Sequence, residues 1–529
     1  MSTLVQTLLS VVGNKNFLDK EAANARYTKN TISYERELMG AVILTDSNQI
    51  PAILKIANEN NLSIYPISTG KNWGYGSSLP VNNYALLVDL SQLNRIIEFN
   101  AQLGFIVVEP GVTQQDLYDF IQKNSLDYMV PTTGAGPEVS ILGNAIEKGY
   151  GITPVEDHSL SLLSLKAYLP DGALYESQLT EFGGHRSDQV FKWKIGPQLD
   201  SLFSQSNLGI VFQATIAMAR KPEITSQFIS FIDEDNLEDA IRIIREIKVQ
   251  LGSTVGGINI MNKRRILSMV SDPSSWSLTH AANENLIREL ATKQNFPDWM
   301  VLGGLYGPKS MVAAAEAIVS SEFNKITNKT IFLNRSKINI IKNIMKILPV
   351  PHLKKAIAGL DSAINVLEGV PSQVALPLTY LKNRIKPAPD TKVFSPDQDN
   401  CGLIWFSPLL PIDGKLVRDF TAEVHRVCLY HDIEPLITLT AISERCFDST
   451  IPILFNKEDV ESVKKAQACH QDLMKMTQDL GIFPYRLDVR SMPMLYDAHH
   501  GVASKLWNDI KEKIDPKGVV APGRYQKVS

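Results

Sequence analysis

Cysteine is scarce in this chain. Four residues among 529, Cys401, Cys428, Cys446 and Cys469, all fall in the last quarter, with no CxxC pair and no metal-ligand spacing. This excludes a disulfide framework and a zinc cluster, and implies reduced, mostly buried thiols of a cytoplasmic protein. The pair His499-His500 has no carboxylate or cysteine at ligand spacing, so no metal is assigned. Long hydrophobic runs are missing as well. No stretch approaches the roughly 18 apolar residues of a membrane span. The start, MSTLVQTLLSVVGNKNF, lacks a basic segment ahead of its interrupted apolar stretch, so a secretory signal is not expected. Excess charge of one sign is also lacking. Lys and Arg total 53 against 56 Asp and Glu, a formal net charge of -3, which favours neither nucleic acid nor a membrane surface as partner. Neither GxGxxG nor GxxxxGK[ST] occurs, which removes the usual dinucleotide and P-loop fingerprints.

What is present is ordinary globular composition, 44% hydrophobic and 21% charged, in a chain too long for one core. The first part is strand-rich. LSIYPI, YALLVDL, RIIEF and FIVVEPGV read as strands, and Thr113 is placed to cap a helix ahead of DLYDFIQ. SLSLLSLKAYL runs into the turn Pro170-Asp171-Gly172, and GIVFQATIAMA reads as a buried strand. From about Ile224 the texture changes to strands alternating with long amphipathic helices, which predicts an antiparallel sheet backed by helices. It changes again near Gly481. The fold class is therefore α+β. The stretch Lys337–Lys355 is basic and apolar, like a membrane-surface helix, but Ile338, Ile341, Met345 and Leu348 on one face equally describe a core-packed helix, which is the reading adopted.

Two small-residue loops carry candidate chemistry. Ser68–Ser78 follows a strand and holds Gly70, Gly74 and Gly76, so its backbone N–H groups can approach a phosphate. Alone, it reads equally well as a flexible surface loop. The second stretch, Pro131–Pro154, holds Gly134, Gly136, Gly143, Gly149 and Gly151 around ILGNAIEKG, a short helix start whose positive end suits an anion. Two such loops on one domain suit a dinucleotide.

With these segments in this order, PISTGKNWGYG, VVEPGVT, ILGNAIEKGYGITPVEDH, GPQLDSLFSQSNLGIV and IDPKGVVAPG, the chain resembles the vanillyl-alcohol oxidase and p-cresol methylhydroxylase family of flavoproteins. The resemblance covers the N-terminal and C-terminal parts, and the middle only in general pattern apart from ILFNKED. It implies a two-part FAD-binding domain, residues 1–222 and 481–529, with residues 223–480 as an α/β cap over the flavin ring. It further implies cofactor contacts from Ser68, Thr69, Gly70, Lys71, Asn72, Gly74 and Tyr75 in the first loop, and from Pro131, Gly134, Gly143, Asn144, Gly149 and Gly151 in the second. Ile210 and Arg524 complete that set.

The same resemblance assigns chemistry. Family members that oxidise para-substituted phenols hold the substrate as phenolate between two tyrosines and an arginine, which Tyr75 and the adjacent pair Tyr485-Arg486 match. A phenolate oxygen needs O–H donors and a permanent cation, and Arg stays charged at any relevant pH. Asp157 matches the family's acidic residue near the flavin, with Glu156 as its competitor; a surface acidic pair is the plain alternative. His158 reads as a satisfied histidine. The histidine and tyrosine tethers seen in relatives are missing, since Asp448 and Ser449 and the run TLTAIS stand in those regions. FAD is therefore expected to be non-covalent, with Cys446 the alternative attachment point. The expected activity is hydride transfer from a small phenol to FAD, with O2 or an electron carrier as acceptor and a homodimer as the assembly. The competing expectation keeps the fold and takes a non-phenolic alcohol, amine or natural-product intermediate as substrate.

Overall fold

The computed structural model describes residues 3–347, 351–388, 391, 393–498 and 501–527. Among them the strands form three sheets. The first orders β1 (Phe17–Leu18), β2 (Leu38–Ile43), β4 (Ala85–Asp89) and β3 (Ile64–Ile67), with β2, β4 and β3 parallel. The fully buried β4 reads ALLVD, the continuous apolar run of a strand covered on both faces. The helix Ile50–Asn60 buries Ile50, Ile53, Leu54 and Ala57 and stops at Asn61, whose φ of 48° ends the helix in the left-handed region.

The second sheet is antiparallel, in the order β5 (Ile96–Asn100), β6 (Phe105–Val108), β9 (Ile210–Ala217), β7 (Leu162–Tyr168), β8 (Leu174–Tyr175). Thr113 caps the helix Gln114–Lys123 in a reciprocal box with Asp116, as the sequence predicted. The chain's end returns to the first sheet. Ile64 N–H donates to Val519 at 2.8 Å, and Ala521 N–H donates to the Ile64 carbonyl at 2.8 Å.

The third sheet is wholly antiparallel: β13 (Thr330–Asn334), β10 (Ile224–Ile232), β12 (Trp299–Gly307), β11 (Val255–Asn262), β16 (Thr438–Ala441), β17 (Cys446–Phe455), β15 (Pro408–Pro411), β18 (Phe483–Pro484), with β14 (Gly402–Phe406) also on β17. Helices Leu237–Leu251, Lys309–Phe323, Gly414–Tyr430 and Val460–Asp479 back it. Leu237–Leu251 buries Leu237, Ala240, Ile241, Ile244 and Ile247, a three-and-four spacing that turns one stripe inward. Each of its large side chains contributes on the order of 2 kcal/mol by leaving water.

Register across the third sheet positions the site. Asn259, Thr440, Asp448 and Leu409 lie directly opposite one another on adjacent strands, so their side chains share one face. Thr440 Oγ1 donates to Asn259 Oδ1 at 2.8 Å. Polar groups in mid-sheet must find partners, and Thr450, two residues beyond Asp448 on the same face, meets Tyr150 OH of the second glycine-rich stretch at 3.0 Å.

The basic stretch resolves as core at Ile338, which is 1% exposed and packs with Met129, Tyr306, Ile364 and Leu367. The side chain of Met345, residue Leu348 and the pair His499-His500 lie outside the described residues. Among the described residues no helix is long and apolar enough to cross a membrane. The four cysteines are free, and Cys428 and Cys469 pack at 4.0 Å between sulfurs.

Candidate active site

The loop after β3 and the Pro131–Pro154 stretch meet. A Cβ on Gly143 would lie 2.5 Å from Ser68 Oγ, so only glycine allows this approach. Lys71 Nζ pairs with Glu138 at 2.8 Å across the same seam. The backbone N–H groups of Thr69, Gly70, Lys71 and Asn72 donate to no other described residue, which leaves them able to receive an anion. Gly74 has a φ of +77°, and a Cβ there would enter the Trp405 indole, so strand β14 of the third sheet rests directly on the loop. The helix after Pro131 is real but short, Ile141–Ile146, and Ser140 Oγ already accepts from Gly143 N–H at 2.8 Å. Its dipole adds less than the sequence suggested, and the free donors belong to the first loop.

Pro131, Asn144, Ser140, Gln114, His158 and Ile216 line a small cavity. Asn144 Nδ2 hydrogen-bonds to His158 Nδ1. The hydrogen-bonding pattern therefore puts the imidazole proton on Nε2, which is buried and without a partner. Gly149 and Gly151 approach the Asn144 side chain and the Thr132 carbonyl too closely for any Cβ, while Gly134 packs beside Ala375 of the third-sheet region. Ile210 is 1% exposed in β9.

A second cluster forms where β18 meets the loop. Tyr75 OH lies 3.1 Å from Ser407 Oγ, and the Arg486 guanidinium stacks 4.5 Å from the Tyr75 ring centroid. Arg486 donates to Asn72 Oδ1 at 2.7 Å and pairs with Glu147 at 3.3 Å. Glu147 also pairs with Arg524, which reaches Tyr65 OH at 3.0 Å. Gln205, held at φ 48°, donates to the Tyr485 carbonyl at 3.1 Å. Tyr485 packs against Tyr150 with ring centroids 5.8 Å apart. Burial pushes the Tyr75 hydroxyl up to about 12 against the opposing pull of Arg486, and raises Tyr485 well above the ordinary phenol value. Both phenols stay protonated, so both are O–H donors at neutral pH.

Similarity to known flavoproteins runs along most of the chain. Residues 39–178 match a family model described as a FAD binding domain. The 4-cresol dehydrogenase [hydroxylating] flavoprotein subunit of Pseudomonas putida is 26% identical over 98% of this chain and 94% of its own length. A 1'-carboxy-chondrochloren decarboxylase of Chondromyces crocatus is 28% identical over 97% and 95%. The crystal structure of p-cresol methylhydroxylase with substrate bound superposes with a TM-score of 0.86 at 24% identity, covering 99% of this chain and 96% of that one. In sequence along its whole length and in fold, the chain is similar to the p-cresol methylhydroxylase-type FAD-linked oxidoreductases.

Its FAD binding domain and its full-length oxidoreductase relative make it a FAD-dependent oxidoreductase. The residues present fit the cofactor: free N–H groups on the first loop, close glycine approach at 143, and an orphaned donor on His158. Tyr75, Tyr485 and Arg486 come together. Asp157 lies behind Tyr150, to whose backbone it is bridged. Glu156 is held by Lys248 Nζ at 2.8 Å to each oxygen, and Asp157 Oδ1 accepts the Leu160 N–H at 2.9 Å, closing a turn. The site also contains groups the sequence did not single out, Tyr150, Ser407 and Glu147. Asp448, which the sequence named only as standing where relatives carry a tether, joins them.

His158 and His470 are both buried neutral, each lowered to about 4 by desolvation. Unfolded histidines titrate near 6.5 and take up protons that the folded ones refuse, so stability falls with pH from about 6.5 to about 4. Each contributes up to about 3 kcal/mol to that loss. Thermal unfolding of His470→Gln across this range is expected to show a shallower decline than the parent; an unchanged slope would rule out this cause.

Proposed function

We propose that this oxidoreductase binds a small para-substituted phenol as phenolate at Tyr75, Tyr485 and Arg486 and oxidises its para substituent by hydride transfer to FAD. The observation that carries the reading is the buried group of two protonated phenols, Tyr75 and Tyr485, with one guanidinium stacked on the Tyr75 ring. Arg486 supplies the charge, and the tyrosines supply short O–H donors to the phenolate oxygen. Holding the oxygen anionic raises electron density at the para carbon, so a hydride leaves from the substituent and a quinone methide remains. FAD, when bound, supplies the hydride acceptor at N5. Donors fixed before the reaction in a water-poor site stabilise this developing charge by several kcal/mol.

In this reading residues 1–222 and 481–529 hold FAD and residues 223–480 cover its ring. Ser68–Asn72, Gly74, Asn144, Ile210 and Arg524 line the cofactor, with O2 or an electron carrier as final acceptor. Support for the phenol class comes from the cresol dehydrogenase relative. Anaerobic mixing of the holoenzyme with 4-alkylphenols tests it: the yellow flavin absorbance is expected to bleach, and an unchanged spectrum with a series of such phenols would reject the class. The decarboxylase relative, matched over 97% of this chain, favours a second reading, a tailoring step on a carboxylated natural-product intermediate. Release of CO2 from such an acid, with simple alkylphenols inert, would select it.

FAD is proposed to be non-covalent. Asp448 and Ser449 occupy the stretch expected for a tethering histidine, and the Cys446 thiol, raised by burial, rests 3.4 Å from the Phe447 carbonyl. Acid precipitation is expected to leave yellow colour in the supernatant; colour retained in the pellet would demonstrate a covalent bond.

A further inference from the structure

Asp448 is fully buried, with 0% exposure, in the middle of β17. Its two oxygens differ. Thr450 Oγ1 donates to Oδ2 at 3.0 Å, and Thr450 in turn lies 3.0 Å from Tyr150 OH. Thr450 has one proton and spends it on Asp448, so Tyr150 donates to Thr450 and the chain of donors ends on Oδ2. Oδ1 has no partner among the described residues. Among the described residues no cation pairs with Asp448, and Arg486 spends its charge on Glu147.

Two arginines, Arg486 and Arg524, stand against one glutamate, Glu147. With Asp448 neutral, this group keeps one positive charge for one anion. With Asp448 ionised, the anion would enter a site already balanced, beside a second negative charge. A lone buried carboxylate is also disfavoured in itself. Burial accordingly raises this carboxyl well above the ordinary aspartate value, and Asp448 acts electrostatically on both Tyr75 and Tyr485. The titratable groups facing it are thus Tyr75 from the first loop, Tyr485 from the segment after β18, and Tyr150 beyond Thr450, with Arg486 reached only through the two tyrosines.

Resting on the phenolic reading above, we propose that Asp448 is a neutral carboxylic acid whose Oδ1–H is a third hydrogen-bond donor to the substrate's phenolate oxygen, beside Tyr75 and Tyr485. Oδ2 is satisfied as acceptor, so the proton resides on Oδ1, the one atom that lacks a protein partner. A buried donor without an acceptor is costly in the free protein and is relieved when an anionic oxygen arrives. The carboxyl thereby adds to phenolate affinity without adding negative charge. Carboxylic acids held neutral by burial are known to donate in this way to developing oxyanions.

The test uses the FAD-loaded full chain and the variants Asp448→Asn and Asp448→Ala. The infrared difference spectrum of wild type minus Asp448→Asn, without ligand at neutral pH, is expected to show the C=O stretch of a protonated carboxyl. Its absence overturns the proposal whatever the substrate. Binding is read with 4-nitrophenol, whose own absorbance reports whether it is bound as phenolate. Asp448→Ala is expected to weaken its affinity about tenfold, while Asp448→Asn, which keeps an N–H donor, loses no more than about threefold. Tighter phenolate binding in Asp448→Asn than in wild type would mean that an ionised Asp448 repels the ligand, and overturns the proposal. If the carboxyl band is present but wild type binds no phenol, the substrate class fails and the donor role falls with it, an outcome distinct from a missing band.

Discussion

Replacing Arg486 by Met is expected to lower kcat/KM for a 4-alkylphenol by about a thousandfold, roughly 4 kcal/mol of transition-state stabilisation, with FAD retained. Arg486 is a positive charge that acts on both phenols, stacking on the Tyr75 ring and opposing the rise at Tyr485. Glu147 keeps Arg524 as its partner after the change, so the effect concentrates on the anion rather than on folding. Asn72 loses its 2.7 Å bond, which is the main structural side effect. Arg486→Lys is not expected to restore activity, because a compact ammonium cannot stack on the ring and reach Asn72 and Glu147 together. Steady-state kinetics with flavin content measured in parallel check this. Wild-type turnover of phenols by Arg486→Met would remove the phenolate mechanism.

The second large effect concerns stability. Lys511 and Asp515 form a pair at 2.6 Å, each side chain 1% exposed. Lys511 also donates to the carbonyls of Asn207 at 2.6 Å and Val520 at 3.0 Å, and Asp515 accepts the N–H groups of Val519 and Val520 at 2.9 Å. One ion pair thus ties the helix Val502–Ile514, the FSQSNLG segment and the strand-like return onto β3. Lys511→Met keeps most of the volume but strands a buried carboxylate, at a cost of about 3–5 kcal/mol. Thermal unfolding followed by flavin fluorescence should show a fall of roughly 10 °C. Adding Asp515→Asn to Lys511→Met should recover a large part of it, since no buried charge then remains unpaired. If the single variant melts like the parent, the pair does not hold this junction.

Much of the architecture was readable from local pattern. The apolar run of β4, the capping Thr113, the turn at Pro170-Asp171-Gly172 and the three-and-four spacing of Leu237–Leu251 each impose their element with little outside help. The antiparallel third sheet followed from the same kind of signal, although β11 and β13 carried none strong enough to be singled out. The tyrosines and Arg486 were found by likeness of motif rather than by physics, because a single Tyr or Arg looks the same on a surface as in a site.

The sequence by itself determined the elements, the two glycine-rich loops and the absence of one-sided charge, since these depend on neighbours a few residues apart. Only the tertiary structure decided which polar groups share a site. It joined residues 72, 75, 147, 407, 448 and 485–486 from separate strands and loops, and turned Glu156 and Asp157 toward Lys248 and Leu160. The reason is strand register. A shift of one residue in β17 would move Asp448 to the opposite face, and nothing local to FDSTIPILF encodes which partner strand it meets.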